Sequence, residues 1–198
     1  MYSSCNALEI ALHLNDGRVV LFNQPDGGHA DNILGGISAG QVFGRRVLLL
    51  RGEDSVSLFP SDKIARLDIS QMVPSFSCSD DVVQADQIAD YDFQWLRETL
   101  TAVQRQFPMS RRIDNFILAA DLELANSEHL YLRVEFRGEG VVKRPQELFI
   151  DRLLNSGDLL VRLREGGYSI INPKSVVRLT IYPVVDSVEE ITVDKAVG

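Results

Sequence analysis

The chain has 198 residues, 45% of them hydrophobic, and a formal net charge of −8. This length suits either one sizeable core or two small ones, because domains commonly contain about 100 to 150 residues. The acidic balance disfavours non-specific binding to nucleic acid or to anionic membranes, since both attract an excess of Lys and Arg. Two cysteines and three histidines, without a CxxC or similar spacing, argue against a Cys/His zinc site.

The N-terminus predicts a cytoplasmic protein. Its first residues, MYSSCNALEIALHL, lack the charged start, the apolar stretch and the cleavage site of a signal peptide. The sequence has no run of about 18 apolar residues, so no membrane helix is expected. Cys5 and Cys78 lie in polar, loop-like sequence, and we expect both to be reduced thiols.

A first β unit is predicted at residues 1–73, and it begins with a hairpin. An alternating strand leads into an Asn-Asp-Gly turn at 15–17 and a β-branched return strand. A Gly-rich insert follows at 24–40, and residues 45–70 predict strand, tight turn, strand, bend and last strand. The residues expected on the buried faces are Leu8, Ile10, Leu12 and Leu14 in the hairpin, and Ile64, Leu67 and Ile69 in the last strand.

The connector at 74–112 predicts a linker followed by an amphipathic helix at about 90–107. Asp90 or Asp92 is the expected N-cap, and Pro108 ends the helix. We expect the protein's own sheets to cover its apolar stripe, and a second chain is the alternative. The stripe recurs at steps of three and four residues and consists of Phe93, Leu96, Leu100, Val103 and Phe107.

A second β unit is predicted at residues 113–185, before an acidic tail at 186–198. It repeats the hairpin, with a turn at 125–127, and then has a short helix at about 145–155 in place of the Gly-rich insert. Strand, turn, strand, bend and last strand follow in the same order as in the first unit. Its hairpin is expected to bury Leu122, Leu124, Leu130 and Leu132.

A spacing of about 112 residues superposes the two units. The sequence therefore predicts a mainly β protein with minor α, built from two tandem small barrel-like or roll-like units that are related by internal duplication and joined by the amphipathic helix. The bend prolines Pro60 and Pro173 miss by one position, and two unrelated meanders are the alternative explanation. The positions that coincide are Ser57 with Ser169, Arg66 with Arg178, Leu67 with Leu179, and Ile69 with Ile181.

Two segments of the first unit, LHLNDGRVVLF and LLLRGEDSVSLF, resemble in outline the signature segments of Sm-like RNA-binding barrels. Such barrels begin with an Asp-Gly hairpin and end with an Arg-Gly turn. The second unit has LREGGYSI where Arg-Gly would be required, and the insert is longer than that of the family. We interpret the resemblance as convergence between small, strongly bent sheets.

The Gly-rich insert and the arginines after it form the candidate binding site. Closely spaced glycines let backbone amides approach a phosphate, although neither a Walker pattern nor GxGxxG is present. Asp26, His29 and Asp31 have the ligand types of a metal site, but a short loop cluster lacks preformed geometry. No metal or cofactor is therefore predicted. The candidate binding residues are Gly27, Gly28, His29, Asp31, Arg45, Arg46 and Arg51.

The sequence indicates no catalytic set. None of the histidines lies in a nucleophile signature such as GxSxG, and paired carboxylates fall in turns, the linker or the tail. Arginines on predicted strands, such as Arg162 and Arg178, are expected to pair with the protein's own acids across strands, with an anion or partner site as the alternative.

A non-enzymatic interaction or regulatory module is therefore the leading functional hypothesis. We expect it to bind a protein partner or to self-associate, because unpaired strand edges and an apolar helix both favour association. The alternative is binding of a small anionic ligand or an oligonucleotide by the Gly-rich insert and its nearby arginines.

Overall fold

The computed structural model describes residues 8–24, 39–51, 56–70, 83–106, 115–137, 145–156 and 159–183. Within these ranges the protein is mainly β with minor α, which confirms the predicted class. The strands are β1 Leu8–Leu14, β2 Val19–Gln24, β3 Val47–Arg51, β4 Val56–Pro60, β5 Ile64–Ile69, β6 Val83–Gln87, β7 Asn115–Leu124, β8 His129–Arg137, β9 Leu160–Arg162, β10 Tyr168–Ile171 and β11 Val176–Tyr182. The helices are α1 Ala39–Phe43, α2 Asp90–Gln106 and α3 Pro145–Ile150, which continues as a π-helical turn at Asp151–Ser156; Ser61–Lys63 and Pro173–Ser175 form 3₁₀ turns.

Nine of the strands form one sheet in the order β11-β7-β8-β6-β9-β10-β5-β1-β2, and β3 and β4 form a separate two-stranded sheet. The two predicted units share the large sheet because β10, from the second unit, pairs with β5 of the first. Over the described strands the sheet stays open, which corrects the expectation of barrel-like units. Closure would require β11 and β2 to pair, and they are the two ends of the order.

Both predicted hairpins are present and close with the same turn. In the first, the amide of Gly17 donates to the carbonyl of Leu14 at 3.0 Å, and in the second the amide of Ser127 donates to Leu124 at 2.9 Å. Gly17 has φ +84° and Ser127 has φ +65°. The turn thus requires the left-handed conformation, which favours glycine. As the alternation predicts, all eight leucine and isoleucine residues named above for the two hairpins are buried.

The two halves have matching registers. A shift of 110 residues carries the pair Leu12↔Val20 onto Leu122↔Leu130. Each hairpin also pairs with the last strand of its own half, through a register shift at the same place in both ladders. The halves are therefore built alike, while their origin by duplication stays a prediction.

Helix α2 confirms the predicted amphipathic element, and the large sheet covers it. Phe93 and Leu96 are buried together with Ala119 of β7, and Leu100 packs at the margin of this cluster. The Phe93 ring stacks on Tyr131 of β8 at 4.7 Å between centroids. Val103 is exposed, so the predicted stripe is covered only over its first turns. Phe107 lies outside the described residues.

Strand β6 lies inside the segment that the sequence predicts as connector. It pairs antiparallel with β8 and parallel with β9, so it joins the hairpin of the second half to the β9–β10 hairpin. Its apolar content is modest, with only Val83 and Ala85 buried, which is why the periodicity did not indicate a strand.

Strand β5 contributes to the cores on both faces of the sheet. Leu67 and Ile69 pack with the first hairpin and with Ile170, whereas Ala65 packs with the leucines of the second hairpin and with Phe149 of α3. The buried Asn172, which follows β10, donates from Nδ2 to the carbonyls of Ser61 at 2.9 Å and Ile64 at 2.6 Å. These contacts attach the second half to the first through main-chain groups.

Several sequence predictions lie outside the described residues. They include both cysteines, the tight turn at 52–54, most of the Gly-rich insert and the acidic tail. Over the part that the structure does describe, no helix is both long enough and apolar enough to cross a membrane.

Candidate functional site

A groove of about 400 Å³ opens where the two halves meet. His13 of β1 and Arg66 of β5 are register partners, and Asp68 lies two residues further along β5, so all three side chains share one face. The remaining lining residues come from the second half and its connector: Gln87, Ile88, His129, Tyr131, Leu163, Arg164 and Glu165.

A cluster of charged groups forms the floor of this groove. Nε2 of His13 lies 2.9 Å from Oδ2 of Asp68, and Nη1 of Arg66 lies 3.1 Å from the same oxygen. Nη2 of Arg66 lies 2.8 Å from Oε1 of Glu128, in the turn of the second hairpin. Arg66 is only 6% exposed, so its charge is held by carboxylates from both halves.

Several polar atoms of this floor have no hydrogen-bond partner within the described part of the chain. They are Nε and Nη1 of Arg66, Oδ1 of Asp68 and Oγ of Ser169, the register partner of Asp68 on β10. Buried polar atoms normally have a partner, because leaving them unpaired costs free energy. Donors and acceptors are therefore both available to a small polar molecule at this point.

The opposite wall of the groove has a second imidazole that is held by a carboxylate. Nδ1 of His129 lies 2.8 Å from Oδ1 of Asp121 on the neighbouring strand β7, and the His129 ring stacks on Tyr131 at 6.0 Å. A hydrogen bond to a carboxylate places the proton of a neutral imidazole on Nδ1 and leaves Nε2 as an acceptor. Burial, and then the charges of Asp90 and Asp121, raise the pKa of the Tyr131 phenol.

The groove suits binding better than nucleophilic catalysis. Its lining has two imidazoles but includes no Ser, Cys or Lys side chain that either could activate. Within the described ranges, no three His, Cys, Asp or Glu side chains are arranged to hold a metal ion. Hydrogen bonding and charge are the interactions that this lining offers.

A different surface is apolar, on the two-stranded sheet of β3 and β4. Leu48, Leu50 and Phe59 lie on its inner face and pack against the core of the first half. The register pairs Leu49 with Leu58, and Val47 and Val56 flank this pair on the same outer face. Leu49 is 53% and Leu58 62% exposed, and both valines are exposed as well. We call these four side chains the hairpin face.

The structure does not bring the predicted binding residues into the groove. Arg45 and Arg46 are exposed between α1 and β3, and their carbonyls accept hydrogen bonds from Oγ and N of Ser61. Arg51 ends β3. The other four, in the Gly-rich insert, lie outside the described residues.

Strand arginines pair with acids across strands, as predicted. Arg178 lies 3.0 Å from its register partner Glu123, and Arg162 lies 2.7 Å from its register partner Asp86.

The sequence analysis did not identify the groove residues as a site. One available signal was the run IARLDI, where Arg66 and Asp68 interrupt an otherwise apolar, buried strand. Glu128 carried no such signal, because an acid in a turn is ordinary.

Comparisons with family models, with curated proteins and with solved structures found no match to this chain.

Proposed function

We propose that this protein is a non-enzymatic interaction module that binds another protein chain through the hairpin face. The observation that carries the proposal is the continuous aliphatic surface of Val47, Leu49, Val56 and Leu58. Side chains that face each other across two strands lie about 5 Å apart, so these four form one patch. Exposed patches of this kind mark surfaces for association.

Aliphatic side chains on a rigid support also suit a binding surface energetically. Fully burying a leucine contributes roughly 1.5–3 kcal/mol. Leu49 and Leu58 are about half exposed, so covering both contributes about 2 kcal/mol, or about 30-fold in Kd. The inner face already packs on the core, so little further ordering of the hairpin opposes this gain.

The test compares two double variants of equal size. Leu49→Ser with Leu58→Ser removes the hairpin face, whereas Val19→Ser with Leu21→Ser removes two equally exposed residues of β2. Proteins captured by the wild type, copies of the chain included, are purified and their Kd values are measured by biolayer interferometry. We expect the first variant to weaken binding by about 30-fold and the second to leave it unchanged.

Equal Kd values for both variants and the wild type would contradict the proposal. So would turnover in a broad substrate screen that is lost when a groove residue such as His129 is changed. Circular dichroism and thermal melting check that both double variants are folded.

A second candidate function is binding of a small anion in the groove. The unpaired Nη1 and Nε of the buried Arg66, together with Arg164 and the two histidines, favour it. The sequence-based alternative places such a ligand, or an oligonucleotide, on the insert and its arginines instead. Isothermal titration with inorganic phosphate, citrate and a short oligonucleotide separates the two sites.

For the groove, Arg164→Gln abolishes binding and Arg45→Gln with Arg46→Gln does not. The reverse pattern places the anion beside the insert. Binding by phosphate contacts also weakens steeply with added salt. No heat from any of the three probes would remove this candidate.

A further inference from the structure

We infer that the hairpin face binds a second copy of this chain, with β4 of one copy pairing with the free edge of β11 in the other. This inference rests on the function proposed for the hairpin face. It adds the identity of the partner, the strands in contact and their register.

The first step concerns open strand edges. Among the described strands, β11 has one neighbour, β7, and β4 has one neighbour, β3. Each therefore presents a row of backbone N–H and C=O groups that a further strand can pair with. Addition of a strand at such an edge is a recurrent mode of protein recognition.

The second step is that β11 and β5 are counterparts. A shift of 112 residues carries β5 onto β11, and it carries the 3₁₀ turn Ser61–Lys63 onto Pro173–Ser175. Both strands pair with the first strand of their own hairpin through the same register shift. Strand β5, however, has a second neighbour, β10, and the corresponding edge of β11 is open.

The third step is that β4 is the counterpart of β10 under the same shift. The observed pairs Tyr168↔Ile69 and Ile170↔Leu67 then become Val56↔Ile181 and Leu58↔Leu179. Val56 and Leu58 belong to the hairpin face, and Leu179 and Ile181 pack at the margin of the second-half core. Pairing thus places aliphatic residues beside aliphatic residues and extends that core over the exposed face.

The alternate positions are compatible as well. The same transfer sets Ser57 opposite Thr180 and Phe59 opposite Arg178. A hydroxyl faces a hydroxyl, and a ring faces a guanidinium, which are both favourable cross-strand pairs. All four pairs of the transferred register are therefore chemically matched.

The chain's own hairpin is committed elsewhere, which points to a second copy. Phe59 packs edge-on against Phe22 of β2 at 5.9 Å, and β2 and β11 are the opposite ends of the large sheet. Asn172 attaches β10 to the first half through its amide and side chain. Its counterpart is Pro60, which has no N–H and no polar side chain, so β4 lacks this attachment to its own second half.

Two copies that exchange their hairpins form a closed, symmetric dimer. Each β4 pairs with the partner's β11, so one interface contains two ladders and needs no third chain.

The test is a disulfide between strands, in a background with Cys5→Ser and Cys78→Ser. Ser57→Cys and Thr180→Cys place two thiols directly opposite each other in the inferred register, within the span of a disulfide. Mild oxidation and non-reducing electrophoresis then show a covalent dimer. The control, Ser57→Cys with Val177→Cys, is out of register by three residues and stays monomeric. Light scattering of the wild type shows a dimer that Leu49→Ser with Leu58→Ser converts to monomer.

A disulfide within one chain would overturn the inference, because it would place β4 on the chain's own β11. A wild type that scatters only as monomer at high concentration, without cross-linking, would overturn it too. If that result accompanies another protein whose binding depends on the hairpin face, the proposed function stands and only this inference fails. If no binding of any kind depends on that face, both fail.

Discussion

At the scale of single residues, Arg66 and Arg178 show how burial changes the role of one side chain. They occupy equivalent positions on β5 and β11 and each pairs with a carboxylate. Arg66 is almost completely buried between two carboxylates, whereas the Arg178 side chain is more than half exposed beside Glu123. Breaking a buried ion pair strands a desolvated charge, while an exposed pair contributes little.

Replacing Arg66 with Met is therefore expected to lower the free energy of unfolding by about 3 kcal/mol. The matched variant Arg178→Met changes it by less than about 1 kcal/mol, because water screens that pair. Urea denaturation of both variants, followed by circular dichroism, measures the difference. Similar losses for the two would show that the floor of the groove does not depend on this charge.

Tyr131 makes stability depend on alkaline pH. Its raised pKa means that the folded protein holds the phenolic proton more tightly than the unfolded chain, in which tyrosine titrates near pH 10. The resulting contribution to stability is complete below about pH 10 and is lost as the pH rises through the folded pKa. Tyr131→Phe keeps the ring that stacks on Phe93 but removes this titration.

We expect the melting temperature of Tyr131→Phe to fall less than that of the wild type between about pH 9 and pH 11. The exposed Tyr91, replaced by Phe, is the control and should follow the wild type. Parallel curves for all three proteins would contradict the assignment to Tyr131.

At the scale of elements, the two hairpin turns have the same hydrogen bonds but different residues at the left-handed position. The sequence has Gly17 in one and Ser127 in the other, both with positive φ. A side chain at such a position costs about 1 kcal/mol, because Cβ approaches the following carbonyl. The first turn avoids this cost and the second bears it.

The two exchanges should therefore have opposite effects. Gly17→Ser lowers the free energy of unfolding by about 1 kcal/mol, and Ser127→Gly raises it by up to about the same amount. Thermal denaturation of both variants provides the comparison, and each serves as the control for the other. Changes of the same sign would indicate that the turns are not equivalent.

At the scale of the whole molecule, the halves depend on each other. Strand β10 lies between β5 of the first half and β9 of the second, and Asn172 donates hydrogen bonds to two carbonyls of the first half. A core that spans both halves predicts one cooperative unfolding transition.

Cutting the connector tests this dependence. A protease site inserted between residues 71 and 82 leaves two fragments that we expect to co-elute on gel filtration and to melt together. Denaturation in urea separates them. Two fragments that elute apart and each remain folded would show independent domains instead of a shared core.

The sequence by itself determined the local elements. Alternation predicted both hairpins, and steps of three and four residues predicted α2, because strand and helix geometry repeat within a few residues. Turn chemistry placed the turns at Gly17 and Ser127 for the same local reason. The spacing of about 112 residues also corresponds to the shift that relates β5 to β11.

Only the tertiary structure decided which half each strand joins, and with it the groove. His13, Arg66, Glu128 and Arg164 are far apart in the chain, and the groove that they border exists because β10 crosses to pair with β5. The sequence could not indicate this pairing, since one exposed edge is as available to a strand as another. The choice was made by long-range contacts, among them the buried amide of Asn172 where the first half has Pro60.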